Sequence, residues 1–121
     1  MVNIRDKITE VLDGFKLPYF LQGTLADDEP YPESFITFLV YQAENDGNFD
    51  DEPTRQNYYI SVMYYDSDPD KVETYPRQTI LPAMKEAGFI PEGVGTDVLS
   101  DEPTHTGKAL DFVFIDNDFS Y

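Results

Sequence analysis

The chain is 121 residues long and carries 24 Asp or Glu against 8 Lys or Arg, a formal net charge of −16. Its length suits one compact domain, and 40% apolar with 15% aromatic residues is too hydrophobic for a disordered acidic segment. The cations stand singly, so no basic stripe can neutralise phosphates, and neither direct sequence-specific nucleic-acid binding nor attachment to an anionic membrane is expected.

Cysteine is absent, which removes disulfides, thiolate nucleophiles and Cys-based metal sites. No apolar run approaches the ~18–20 residues of a membrane span, and the polar Asn3, Arg5 and Asp6 argue against a signal peptide. The expectation is a soluble intracellular protein.

In chain order, Ile4, Ile8, Val11, Leu12 and Phe15 recur at helical spacing and predict an amphipathic helix. Asn3 is its cap, Asp6 lies toward the positive end of the dipole, and Gly14 is a left-handed stop. Leu17 to Leu21 reads as a short strand, which Pro18 assigns to its first residues or to a sheet edge. Gly23 to Glu33 reads as a loop, because Asp27 to Pro32 combines charge with two prolines. The uncharged runs Phe35 to Tyr41 and Tyr58 to Tyr65 are dense in β-branched and aromatic residues and predict two central strands, with Gln42 to Pro53 as a protruding loop. Apolar residues on both faces of these runs predict that the second face is covered by helices, a loop or another subunit.

Asp68-Pro69-Asp70 opens a second helical segment. Pro76 and Pro82 are expected to divide it into a short helix near 69–75 and a bent or restarted one over roughly 77–87, stopped by Gly88. Phe89-Ile90 and Val94 to Leu99 then lead into Lys108 to Asp116 as a hairpin. The predicted class is α+β: a single two-layer domain over residues 1–121, with one mostly antiparallel sheet of four to five strands packed against two helices. Residues 116–121 form a loose C-terminal tail.

Little of the chain suggests chemistry. Three acidic tripeptides, Asp28-Glu29-Pro30, Asp51-Glu52-Pro53 and Asp101-Glu102-Pro103, read as solvated, proline-stopped loops rather than an internal repeat. Asp66-Ser67-Asp68-Pro69-Asp70 imitates the opening of a calcium loop, but Lys71 and Arg77 stand where that loop needs Gly and Glu. The one histidine, His105, has no nucleophile motif around it and reads as an exposed turn residue. No catalytic, cofactor-binding or metal-binding residues are therefore assigned, and the chain is expected not to be an enzyme. Nine Tyr and nine Phe exceed what a small core absorbs, so part of them is assigned to subunit contacts. Length, charge and aromatic content single out Asp27, Asp28, Tyr31, Phe49, Asp50, Phe119 and Tyr121 as candidate assembly contacts.

Four segments carry a resemblance: Asn3 to Ile8, Gly23 to Thr37, Lys85 to Phe89 and Asp97 to Lys108. They resemble the tail terminator or tail completion proteins encoded among the head–tail joining genes of siphophages and prophages of Gram-positive bacteria. The resemblance implies an α+β protein without catalytic residues, assembling as a ring, usually hexameric, at the head-proximal end of the tail tube. Its partners would be further copies of itself, the tail tube protein and the head–tail connector, and its location the virion tail after assembly in the host cytoplasm. Charge is the departure, since six copies at −16 each carry −96 and repel one another. The competing reading from the residues is an acidic DNA mimic that inhibits a host nuclease or restriction enzyme.

Overall fold

A computed structural model of the chain describes residues 3–21, 32–46, 55–98 and 104–116. The first helix, α1 (Ile4–Asp13), begins where expected, with the Asn3 side chain accepting the Asp6 amide at 3.2 Å. Its end departs from expectation. Gly14 remains right-handed (φ −66), and the left-handed residue is Lys16, with φ 59. Three successive amides, of Gly14, Phe15 and Lys16, bond three residues back, so the helix tightens before it turns.

The short strand β1 (Tyr19–Leu21) lies at one edge of the sheet and pairs in parallel with β2 (Ser34–Asp46), Phe20 opposite Thr37. The neighbouring strand β3 (Arg55–Asp66) runs antiparallel to β2, from Ser34 opposite Asp66 to Asp46 opposite Arg55. Both strands are longer than the apolar runs suggested. Gln42 to Asp46, expected in a loop, are ladder-paired, because the opposing Tyr59 to Arg55 supply a complete set of backbone partners whatever the side-chain polarity. A bulge at Tyr41 shifts the register between the two halves.

The second helical segment changes character after Tyr75, where the short first helix was expected to end, and continues through a widened turn rather than being interrupted. It comprises α2 (Pro69–Tyr75), a π turn over Pro76–Ile80 and α3 (Leu81–Glu86). The Leu81 amide reaches five residues back to the Pro76 carbonyl. This widened turn carries the chain past two residues that lack an N–H without ending the helix. Gly88 stops it, as predicted, at φ 99. Its amide bonds the Lys85 carbonyl and the Phe89 amide bonds Met84, the paired closure of a Schellman motif.

The last two strands, β4 (Ile90–Val98) and β5 (Thr106–Asp116), form the predicted hairpin, and β5 inserts between β3 and β4 to give the order β1-β2-β3-β5-β4. β4 pairs in two pieces, Ile90 to Glu92 and Thr96 to Val98, around Gly93 and Gly95 at φ 79 and 99. The sheet thus has five strands by continuous chain and six by paired piece. It is mixed α+β, antiparallel except at β1, with both helical segments on one side.

The core lies between the layers. Ile8 and Leu12 of α1, with Val72, Ile80 and Met84 of the second segment, meet Ile36, Phe38, Ile60, Val62, Leu110 and Phe112 of the sheet. Each large apolar side chain buried there contributes about 1.5–3 kcal/mol. Tyr64 and Tyr75 stack at 4.7 Å over one end, and Phe89 packs on Phe114 at 5.2 Å at another, with the Lys7 ammonium 4.9 Å above the Phe114 ring.

Candidate interaction surface

Strand alternation turns the remaining side chains of β2, β3 and β5 away from the helices, and pairing aligns them in rows across that face. At one end Phe35, Tyr65, Gly107 and Val98 share a row. This row forms a second, smaller aromatic cluster: Phe35 is stacked on Tyr65 at 5.0 Å, Phe20 stands edge-on at 6.1 Å and His105 covers it at 5.9 Å. Phe35 is consequently only 2% exposed.

His105 is therefore not the exposed turn residue expected. It is half-buried, and its Nε2–H donates to the Pro32 carbonyl at 2.8 Å while Nδ1 accepts from the Thr104 hydroxyl at 3.0 Å. The ring ties the start of β5 to the residues before β2, a packing role with both nitrogens engaged.

Two rows further along, Leu39, Ser61, Asp111 and Glu92 lie side by side, and the next row is Gln42, Tyr59, Val113 and Ile90, apolar except for Gln42 at its β2 end. Tyr41, displaced by the bulge, joins this last row with its ring 6.3 Å from Tyr59. Tyr41 and Ile90 are each 48% exposed, the two large hydrophobic side chains that stand open among the described residues. The Tyr41 hydroxyl has its pKa raised by burial first, then by the charges of Asp111 and Glu92, the pair in the adjoining row. The result is an apolar row bordered by two acids. Thr37 Oγ1 and Asn57 Oδ1, buried on the same face, have no hydrogen-bond partner among the described residues.

The carboxylates that imitate a calcium loop are committed elsewhere. Asp66, fully buried, accepts from Ser34 Oγ at 2.9 Å, from the Tyr64 hydroxyl and from the Asp68 amide at 2.9 Å. Burial pushes the Asp66 carboxyl up, but these bonds and the charge of Lys71 outweigh it and hold the group below its ordinary value. Asp68 caps α2 by accepting the Asp70 amide at 2.9 Å. The strand-end and helix-cap reading of this run is the one the geometry follows.

An open cleft of about 360 Å³ lies between α2 and the paired ends of β4 and β5, with Asp70, Glu73 and Asp97 on its walls. Lys108 beside it is buried and donates to Glu73 at 2.9 Å, with Asp97 at 3.4 Å. The Glu73 bond raises the Lys108 pKa, burial opposes it, and the two acid charges add to the rise. No group of three His, Cys, Asp or Glu suited to a metal occurs among the described residues. No helix among them is long and apolar enough to cross a membrane.

All seven sequence-predicted assembly residues, Asp27, Asp28, Tyr31, Phe49, Asp50, Phe119 and Tyr121, lie outside the described residues, as do the three acidic tripeptides. The aromatic surplus assigned to subunit contacts shrinks on inspection, since Tyr41 alone among the described aromatics is more than a third exposed. The surface patch instead comprises Tyr41, Tyr59, Val113, Ile90, Asp111 and Glu92, none of them on the sequence-derived list. The available signal was parity: Val113 and Ile115 alternate with Phe112 and Phe114, so β5 is apolar on both faces. Comparison with known proteins adds no identity, because neither a family model nor a curated protein matches this sequence.

Proposed function

We propose that the chain is a non-enzymatic structural protein of a tailed phage or prophage, acting as tail terminator or tail completion protein. It forms a ring, hexameric by the family pattern, at the head-proximal end of the tail tube and joins the tube to the head connector. The observation that carries this reading is the half-exposed apolar row on the helix-free face of a sheet whose other face already has a complete core. Such a row in a small domain suits a standing partner. The four segments that resemble tail completion proteins supply the kind of partner, and the α+β architecture agrees with them.

In a ring, each subunit offers two different patches to its two neighbours. The acidic surface would repel the phosphates of DNA passing through the lumen. The test is a mass measurement over a concentration series, with the tail tube protein present and absent. A ring mass, or a stable complex with the tube end, is expected; a protein that stays monomeric at every concentration and never binds the tube overturns the reading.

A further inference from the structure

We infer that the apolar row of Tyr41, Tyr59, Val113 and Ile90, with Asp111 and Glu92 beside it, receives a second copy of this chain, which docks there the outer side of its second helical segment from Thr74 to Lys85. The inference rests on the ring reading for the kind of assembly and goes beyond it in naming the two patches that meet.

Charge complementarity selects the occupant. Between Glu73, which is engaged by Lys108, and Glu86, residues 74–85 contain Arg77 and Lys85 and no acid, in a chain where 24 of 121 residues are acidic. Both cations are exposed. Among described side chains the other cations also belong to the helical layer: Arg5 and Lys7 on α1, Lys16 just after it, Lys71 on α2, and Lys108 turned toward Glu73 of α2. The opposite face has Asp111 and Glu92, directly paired across β5 and β4, and no cation among its described side chains. Paired strand residues sit ~5 Å apart, so each carboxylate destabilises the other, and one cation between them relieves both.

The patches also match in apolar character. On the helical side Pro82 is exposed and Leu81 half-exposed between the two cations. Tyr41 and Tyr59 provide aromatic faces on which a guanidinium can lie. Because one patch belongs to the helical layer and the other to the far face of the sheet, the contact is head-to-tail, the type that generates rings. Four strands at ~4.8 Å and two rows at ~7 Å give a projected area on the order of 200–300 Å², against ~800 Å² per partner in a standard interface. The patch is the centre of a larger contact, and association through it is weak enough to depend on concentration.

Two charge-reversal variants test this: one with Glu92→Lys and Asp111→Lys, the other with Arg77→Glu and Lys85→Glu. Each is checked for native circular dichroism, and all are then measured by light scattering over a concentration series with wild type. The expected result is that each variant alone needs about tenfold or more higher concentration to associate, and that an equimolar mixture regains wild-type assembly with alternating composition. If Asp111→Lys disturbs folding, Tyr41→Lys with Glu92→Lys, both on exposed side chains, takes its place. Loss in the acidic-patch variant alone would indicate sheet-to-sheet contact and overturn the inference, as would wild-type assembly in both variants; the ring reading survives either outcome. A wild type that remains monomeric even with tail tube protein overturns both.

Discussion

Gly107 offers the sharpest check on the packing of the helix-free face. It lies in β5 with Tyr65 of β3 on one side and Val98 of β4 on the other. A Cβ built there stands 2.6 and 2.7 Å from Tyr65 Cδ1 and Cε1 and 2.8 Å from Val98 Cγ2. Carbon atoms prefer ~3.5–4.0 Å, so Gly107→Ala must move the ring. The ring cannot move freely, because it is stacked on Phe35, which is itself buried. Forcing an extra methyl into such a site costs about 1–3 kcal/mol. Gly107 is not among the positive-φ glycines, so alanine also gains about 0.4–1 kcal/mol by restricting the unfolded chain.

The net expectation for Gly107→Ala is a loss of about 1–2 kcal/mol, roughly a 5 °C fall in Tm for a chain of this size. Urea denaturation followed by circular dichroism measures it. The decisive comparison is Gly107→Ala in a Tyr65→Ala background, where the ring is gone and only the 2.8 Å approach to Val98 Cγ2 remains, so the cost should fall by about 1 kcal/mol without vanishing. An equal cost in both backgrounds would refute the argument, since the ring would then not be what the methyl meets.

Lys16→Gly should stabilise by about 1 kcal/mol, because glycine adopts φ 59 without the penalty a side chain incurs there; thermal melting reads the gain. Asp66→Asn should cost about 1.5–3 kcal/mol at neutral pH, from the loss of a charged acceptor for Ser34, Tyr64 and the Asp68 amide. The folded-state pKa of Asp66 lies below the unfolded value of 3.8, so its contribution is present above that pH and is lost as pH falls through the folded value. The stability difference between wild type and Asp66→Asn, measured from pH 7 downward, should therefore hold to about pH 4 and shrink below it. Lys108→Met should change stability by less than about 1 kcal/mol in denaturant titration. The desolvation penalty on the ammonium disappears, and Glu73 and Asp97, 59% and 81% exposed, are rehydrated.

Much of the fold was legible because local signals agreed with one another. Asn3, Asp68 and Gly88 mark helix boundaries by mechanisms that act within three or four residues, and all three operate as expected. The errors arise where a distant partner decides. Gln42 to Asp46 read as loop from their own polarity, yet β3 offers them a ladder. The stop expected at Gly14 moved to Lys16 because the helix tightened first, with Gly14, Phe15 and Lys16 each bonding three residues back. At Pro76 and Pro82 the expected division after Tyr75 is observed, but its form, a π turn that starts at Pro76 and places Ile80 in the core with Met84, was not readable from the local signals. The second apolar face was legible from parity, but not the patch on it: Tyr41, Tyr59, Val113 and Ile90 come from four strands, and register alone brings them together.

The two acids in that patch bear on how copies can associate as well as on whether they do. If two chains met sheet to sheet, Asp111 and Glu92 of each would bring four carboxylates into one apolar contact, and among the described side chains of that face there is no cation to offset them; Arg55, the one cation whose place in β3 shares the face, lies two rows from Tyr59. Removing those charges from water would cost several kcal/mol per uncompensated ion, more than the apolar row returns at ~25 cal/mol per Å² over 200–300 Å². The symmetric dimer, the commonest default for an exposed sheet face, is thus penalised by these residues. A head-to-tail contact that brings Arg77 or Lys85 to them is not. The same pair of carboxylates that weakens self-association therefore selects its mode, discriminating by what it repels as much as by what it attracts.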